Sequence, residues 1–231
     1  MTTRVDIRTI LRRDKLRDTV NTTIKLYKWA DVTIDEAIEE AIRDISQHFP
    51  REVRCTITAE TDQTAFTLPE AFKEVSYLVN TTGGRFSYIS PEDYESRCYL
   101  DNQEQSVNYS ELYGIAISAY LAGYYTVWAD QLMVTPAPNA SMYLYYKAWH
   151  TIPTQDTDLL TISREDEDLL ILYAWGVCMS RDAAADAILQ RWDETSGRRD
   201  DNPVLLQSTR LFNAYHQKIE ERKARRYGGG F

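Results

Sequence analysis

The residues of this chain whose type and spacing first raise the question of base, nucleophile or metal chemistry are His48, His150 and His216, Cys55, Cys98 and Cys178, and the acids at 156, 158 and 165–168. Imidazole chemistry needs a partner at hydrogen-bond or ligand spacing, and the three histidines fall in three separate segments. The cysteines are odd in number and no CxxC occurs, so neither a disulfide framework nor a structural zinc site is expected. The run Glu165–Asp168 lacks the alternation and the glycine of an EF-hand loop. It is expected in a first helical turn, where the helix dipole favours negative charge. Asp156 and Asp158 read as turn and capping residues. "TTGGR" at 81–85 sits between strand-like runs and reads as a hairpin turn rather than an anion cradle. No GxxxxGK[ST], GxGxxG or GxSxG motif is present. No residue is therefore assigned a catalytic, cofactor-binding or metal-binding role, and the chain is not expected to be an enzyme.

The chemistry that remains is that of contact. The chain ends "ERKARRYGGGF". Arg222, Lys223, Arg225 and Arg226 could satisfy a helix C-terminus or dock on an acidic partner. Gly228, Gly229 and Gly230 would then give reach, with Tyr227 and Phe231 as apolar anchors. A second candidate is "SMYLYYKAWH" at 141–150. Met142, Leu144, Tyr146 and Ala148 point one way; Tyr143, Tyr145, Lys147 and Trp149 point the other. The strand is either covered on both sides or presents Tyr143, Tyr145 and Trp149 to another subunit. The chain has 16 Tyr and 5 Trp against 6 Phe, a bias that suits contact surfaces as well as strands.

Several elements must position these groups. Residues 3–28 read as a basic helix with a thin apolar stripe. "TIDEAIEEAIRDISQHF" reads as an amphipathic helix with a Thr33/Glu36 capping box, a buried face of Ile34, Ala37, Ile38, Ala41, Ile42 and Ile45, and Pro50 as its stop. From about 51 to 150 the period changes to two, in short β-branched and aromatic runs. Among them is "YGIAISAY" at 113–120, and turns are expected at Asp62-Gln63, Gly83-Gly84, Ala129-Asp130 and 136–139. Ser90 and Pro91 open a short helix within this stretch. Ser163 is expected to cap a central helix with Asp166 at its third position, apolar nearly all round from Leu169 to Met179. Asn202 and Pro203 open the last helix, whose stripe is Leu205, Phe212, Tyr215 and Ile219. The expected fold class is α+β: a helical bundle built from both chain ends, 1–50 and 161–231, with an antiparallel β module, sandwich or small barrel, inserted at 51–160.

Charge is unevenly placed. Residues 1–30 stand at +5 and 203–231 at +4 within a chain of -9, so the middle, 31–202, carries -18. An acidic body does not grip nucleic acid, since phosphate contacts supply most of that affinity. No segment resembles a signal peptide or a membrane span, so the protein is expected to be soluble, away from membranes and made in a reducing compartment.

The order of these elements, with four phrases, resembles the phage neck adaptors, also called head–tail connector or tail tubular proteins. The phrases are "FTLPEAFKEVSYL" (66–78), "SPEDYES" (90–96), "LMVTPAPNASMYLYYKAW" (132–149) and "DLLILYAWGVCMSRDAAADAILQRW" (168–192). The resemblance covers roughly residues 30–192. It implies a wedge subunit of a dodecameric ring below the portal, in the virion neck, after synthesis in the host cytoplasm. The helical part would bind the portal protein, often through a C-terminal segment such as 222–231. The β module would meet the tail or the next neck protein, and DNA would pass through the ring without specific binding. The alternatives are a ligand- or glycan-binding β module on a helical scaffold, and a carboxylate hydrolase, which would need a pocket with raised carboxylate pKa values.

Overall fold

Ile34, Ala37, Ile38, Ala41, Ile42 and Ile45 recur at helical spacing, and all six are buried on one face of a helix running from Asp31 to His48. The structure, a computed structural model, describes residues 2–20, 27–96, 121–189 and 203–227. Its helices are α1 (Arg4–Ile10), α2 (Asp31–His48), α3 (residues 91–96), α4 (Glu167–Leu189) and α5 (Pro203–Tyr227). Its strands are β1 (Arg51–Ile57), β2 (Ala65–Thr67), β3 (Phe72–Asn80), β4 (Arg85–Tyr88), β5 (Leu121–Trp128), β6 (Gln131–Thr135) and β7 (Met142–Ala148). The fold is α+β. The chain divides into two compact units, 1–51 with 150–231, and 52–149. Residues 150–160, expected in the β module, group with the helices.

The helical unit departs from expectation at its start. α1 opens with a Thr3/Asp6 capping box and runs into a π-helical turn, Leu11–Leu16, closed by Arg17 in the left-handed region at φ 49°. The single helix expected over 3–28 therefore stops at Leu16. Thr33 and Glu36 do not cap α2, whose N-cap is Ala30 without a side-chain bond. Tertiary contacts hold that entry instead. Asp18 accepts from the backbone N–H groups of Lys28 (2.9 Å) and Trp29 (3.1 Å), and the Arg12 guanidinium donates to the Trp29 carbonyl at 2.7 Å. α4 starts at Glu167, so Ser163 stands in the turn before it; its hydroxyl donates to Asp166 at 2.6 Å. α4 and α5 approach closely at Gly176. A Cβ there would stand 3.2 Å from the Phe212 ring, and Ser208 donates to the Gly176 carbonyl at 2.9 Å. The inward stripe of α5 is Ser208, Leu211, Phe212, Tyr215 and Ile219, whereas Leu205 is exposed. The expected cap Asn202 lies outside the described residues.

Among the described residues, the strands of the β unit form one curled seven-stranded sheet, half a barrel, in the order β1-β7-β3-β4-β5-β6-β2. It is not wholly antiparallel: β4 and β5 run parallel. A parallel pair needs a long crossover, and residues 89–120, which include α3, supply the connection. The expected strand at 113–120 lies outside the described residues. Ala129 and Asp130, both at positive φ (47° and 62°), close the β5–β6 hairpin as expected. Gly123 has φ 149°, and a Cβ there would meet the Thr135 carbonyl oxygen at 2.5 Å, so only glycine fits. Leu78, Leu132, Val134, Met142, Leu144 and Ala148 form the centre of this unit's core.

Candidate interaction surfaces

The basic end of α5 lies against the acids at the start of α4. Asp166 is buried, with its side chain 5% exposed. It accepts from Arg222 at 2.6 Å and Arg226 at 2.8 Å. Asp168 accepts from Arg222 and, at 2.9 Å, from Lys218. Burial alone would raise the Asp166 carboxyl, but the Ser163 hydroxyl, Arg226 and Arg222 outweigh it and hold it below the ordinary carboxylate range. Asp168 is likewise held low, by Lys218 and Arg222 against its burial. These acids are thus acceptors for a distant helix as well as first-turn charges. The Arg226 guanidinium also stands 4.6 Å from the centre of the Phe49 ring. Lys223 pairs with Glu220 at 2.9 Å, and Arg225 is exposed. The side chain of Tyr227 and all of Gly228, Gly229, Gly230 and Phe231 lie outside what is described.

The second candidate surface is the outward face of β7 and β3. The predicted alternation holds: Met142, Leu144, Tyr146 and Ala148 are buried, while Tyr143, Tyr145 and Lys147 are half-exposed and Trp149 is exposed. Tyr145 pairs in register with Tyr77, and their rings stack with centroids 4.2 Å apart. Cations flank the row. Arg54 stands over Tyr143 at 5.1 Å, Arg85 over Tyr77 at 5.5 Å and Lys73 over Trp149 at 4.8 Å. Lys147 pairs with Glu74 at 3.1 Å. The sequence marks Tyr143, Tyr145 and Trp149 through their shared period. Tyr77, Arg54, Arg85 and Lys73 come from other positions and register alone brings them in.

Sequence reasoning missed a third cluster. Arg4, Arg8 and Arg12 recur every four residues along the first helix. Arg8 donates to Asp35 (2.6 Å) and Asp156 (2.7 Å), Arg4 to Asp156 (2.9 Å) and Arg12 to Asp31 (2.6 Å). Arg8 and then Arg4 hold the Asp156 carboxyl below its ordinary value. The i, i+4, i+8 spacing of the three arginines was the available signal.

The remaining reactive groups do not assemble. The His150 Nε2–H donates to the Phe49 carbonyl at 2.9 Å, and burial depresses its pKa. His48 is also lowered, by burial and then by Lys223. His216 packs edge-on against Tyr215. Burial pushes the Cys178 thiol up to about 12; Cys98 lies outside the described residues. Among the described residues, no three His, Cys, Asp or Glu side chains group as a metal site would require, and no helix is long and apolar enough to cross a membrane. No curated protein matches the chain. The SU10 adaptor protein family matches it over residues 3–227.

Proposed function

This chain belongs to the SU10 adaptor protein family, and from that premise we propose that it is a structural, non-enzymatic subunit of a phage neck. Identical copies close into a dodecameric ring between the portal protein and the tail, and the ring continues the channel through which DNA leaves. The helical unit faces the portal; the β unit faces the tail or the next neck protein.

The family match over nearly the whole chain carries this reading. Two physical features support it. A closed ring needs a head-to-tail contact between two different surfaces of each copy, and the stacked Tyr77–Tyr145 face with Tyr143 and Trp149, flanked by Arg54 and Arg85, has the aromatic and arginine composition of an interface core. The charge of -18 over residues 31–202 suits a wall past which DNA slides without being held. In the C-terminal segment the docking roles divide. Arg222 and Arg226 brace the end of α5 on Asp166, so Arg225, Tyr227 and Phe231 make the portal contact, with Gly228, Gly229 and Gly230 between the two aromatic residues.

The test mixes the protein with the portal of the same phage and follows ring formation by electron microscopy and sedimentation. The full chain is compared with one ending at Tyr227, which keeps Arg222 and Arg226 on Asp166. Ring decoration by the full chain alone supports both the adaptor role and the tail contact. Decoration by both leaves the adaptor role standing and removes residues 228–231 from the portal contact. Failure of both removes the neck reading.

A further inference from the structure

α3 lies over one face of the β5–β6 hairpin, and between them is an open groove of about 520 Å³. Its floor is apolar: Pro91, Tyr94 and Met133, with Trp128 standing beside them 62% exposed. Glu92 and Glu95, both exposed, form the rim, and among the described residues no lysine or arginine lines it. The Tyr94 hydroxyl is already engaged, donating to the Val134 carbonyl at 3.1 Å. Thr126 is different. It lines the groove, is 1% exposed, and its Oγ1 is buried without a hydrogen-bond partner among the described residues. A buried hydroxyl that the fold leaves unpaired weakens the fold relative to valine, which has the same shape and suits a strand at least as well.

We propose that this groove binds a short extended peptide from a neighbouring protein, one in which an aromatic or large aliphatic side chain stands next to an arginine or lysine. The apolar side chain fills the floor between Tyr94, Met133 and Trp128. A backbone N–H of the peptide donates to Thr126 Oγ1 and satisfies it. The cation pairs with Glu92 and Glu95, whose charge no described side chain of the lining offsets. A saccharide fits less well, because it needs several fixed polar partners, and of the three hydroxyls in the lining Ser90 and Tyr94 already donate to Asp93 and to the Val134 carbonyl, which leaves Thr126. The inference concerns the β unit alone and stands whether or not copies close into a ring.

Calorimetric or NMR titration of the full chain with the hexapeptides GSRFGS, GSEFGS and GSRAGS tests it. Saturable, salt-sensitive binding of GSRFGS is expected, several-fold tighter than either control peptide. Thr126→Val should weaken it about tenfold while leaving the melting temperature unchanged or raised. A hydroxyl that serves only the fold would lower the melting temperature instead. Trp128→Ala, at an exposed position, and the pair Glu92→Gln with Glu95→Gln should also weaken binding without unfolding the chain. The proposal is overturned if GSRFGS does not saturate, whatever else fills the groove. It is also overturned by equal binding to Thr126→Val, or by a preference for maltotriose over the peptide.

Discussion

The two units use their polar and aromatic side chains in opposite ways. In the helical unit, charged groups are turned inward and join segments distant in sequence: Arg8 to Asp35 and Asp156, and Arg222 and Arg226 to Asp166. Arg8 and Arg222 are largely buried and multiply bonded, and Asp166 is buried beneath Arg222 and Arg226, so loss of a partner there leaves an uncompensated charge. In the β unit the inward face is aliphatic and aromatic, and cations are displayed outside, over the rings of Tyr143, Tyr77 and Trp149. Such pairs add little to stability when exposed, but they present large amphipathic rings at low entropic cost. The difference teaches that one unit uses its charges to hold its own fold, while the other keeps its cations and several aromatic rings on an outer face.

The sharpest way to break that comparison is Asp166→Ala. It strips the acceptor from Arg222, Arg226 and Ser163 and is expected to cost about 3 kcal/mol, read as a lower urea midpoint in the helical circular dichroism. A change near zero would mean the clamp holds nothing. Next comes pH. Asp156, Asp166 and Asp168 all belong to the helical unit, and all have folded pKa values depressed below the ordinary one. Their contribution is complete above the ordinary Asp range and is lost as pH falls through the folded values, because there the unfolded chain binds more protons. Acid titration should therefore weaken the helical signal before the near-ultraviolet tyrosine signal of the sheet. The reverse order would overturn the assignment of charge to the helical unit's stability.

Smaller in stability, and larger in consequence for assembly, is the double change Tyr77→Ser with Tyr145→Ser. The stacked pair is worth about 1 kcal/mol to the fold. Sedimentation with the portal should nevertheless show ring formation lost. If rings persist, the aromatic face is not the interface. The smallest effect is expected at Arg13, whose pair with Asp14 is solvent-exposed. Arg13→Ala should change stability by no more than about 0.5 kcal/mol, and a loss comparable to that of Asp166→Ala would remove the distinction between buried and exposed pairs.

How much of this was legible in advance follows from the range of the interactions involved. The α2 stripe from Ile34 to Ile45, the alternation along β7, the Ser90–Pro91 start of α3 and the Ala129–Asp130 turn were readable. Each depends on backbone geometry that repeats within a few residues, and burial selects side chains at that same period. The family resemblance rested on the same local phrases in order. Of the candidate residues, Tyr143, Tyr145 and Trp149 share an outward face for this reason.

What tertiary structure alone decided is long-range. Asp166 serves Arg222 and Arg226 from the far end of the sequence, and the local Ser163–Asp166 spacing that marks it says nothing of those arginines. Thr33 has the sequence of an N-cap, yet α2 begins at Asp31 because Asp18 and Arg12 hold the preceding turn. Tyr77 meets Tyr145 only because β3 and β7 pair in that register, and β4 lies parallel to β5 only because the chain crosses over between them. Local periodicity determined which residues turn inward within each element. The partners of buried charges and the neighbours of strands depended on which distant segments could satisfy them together, a choice made by the whole fold.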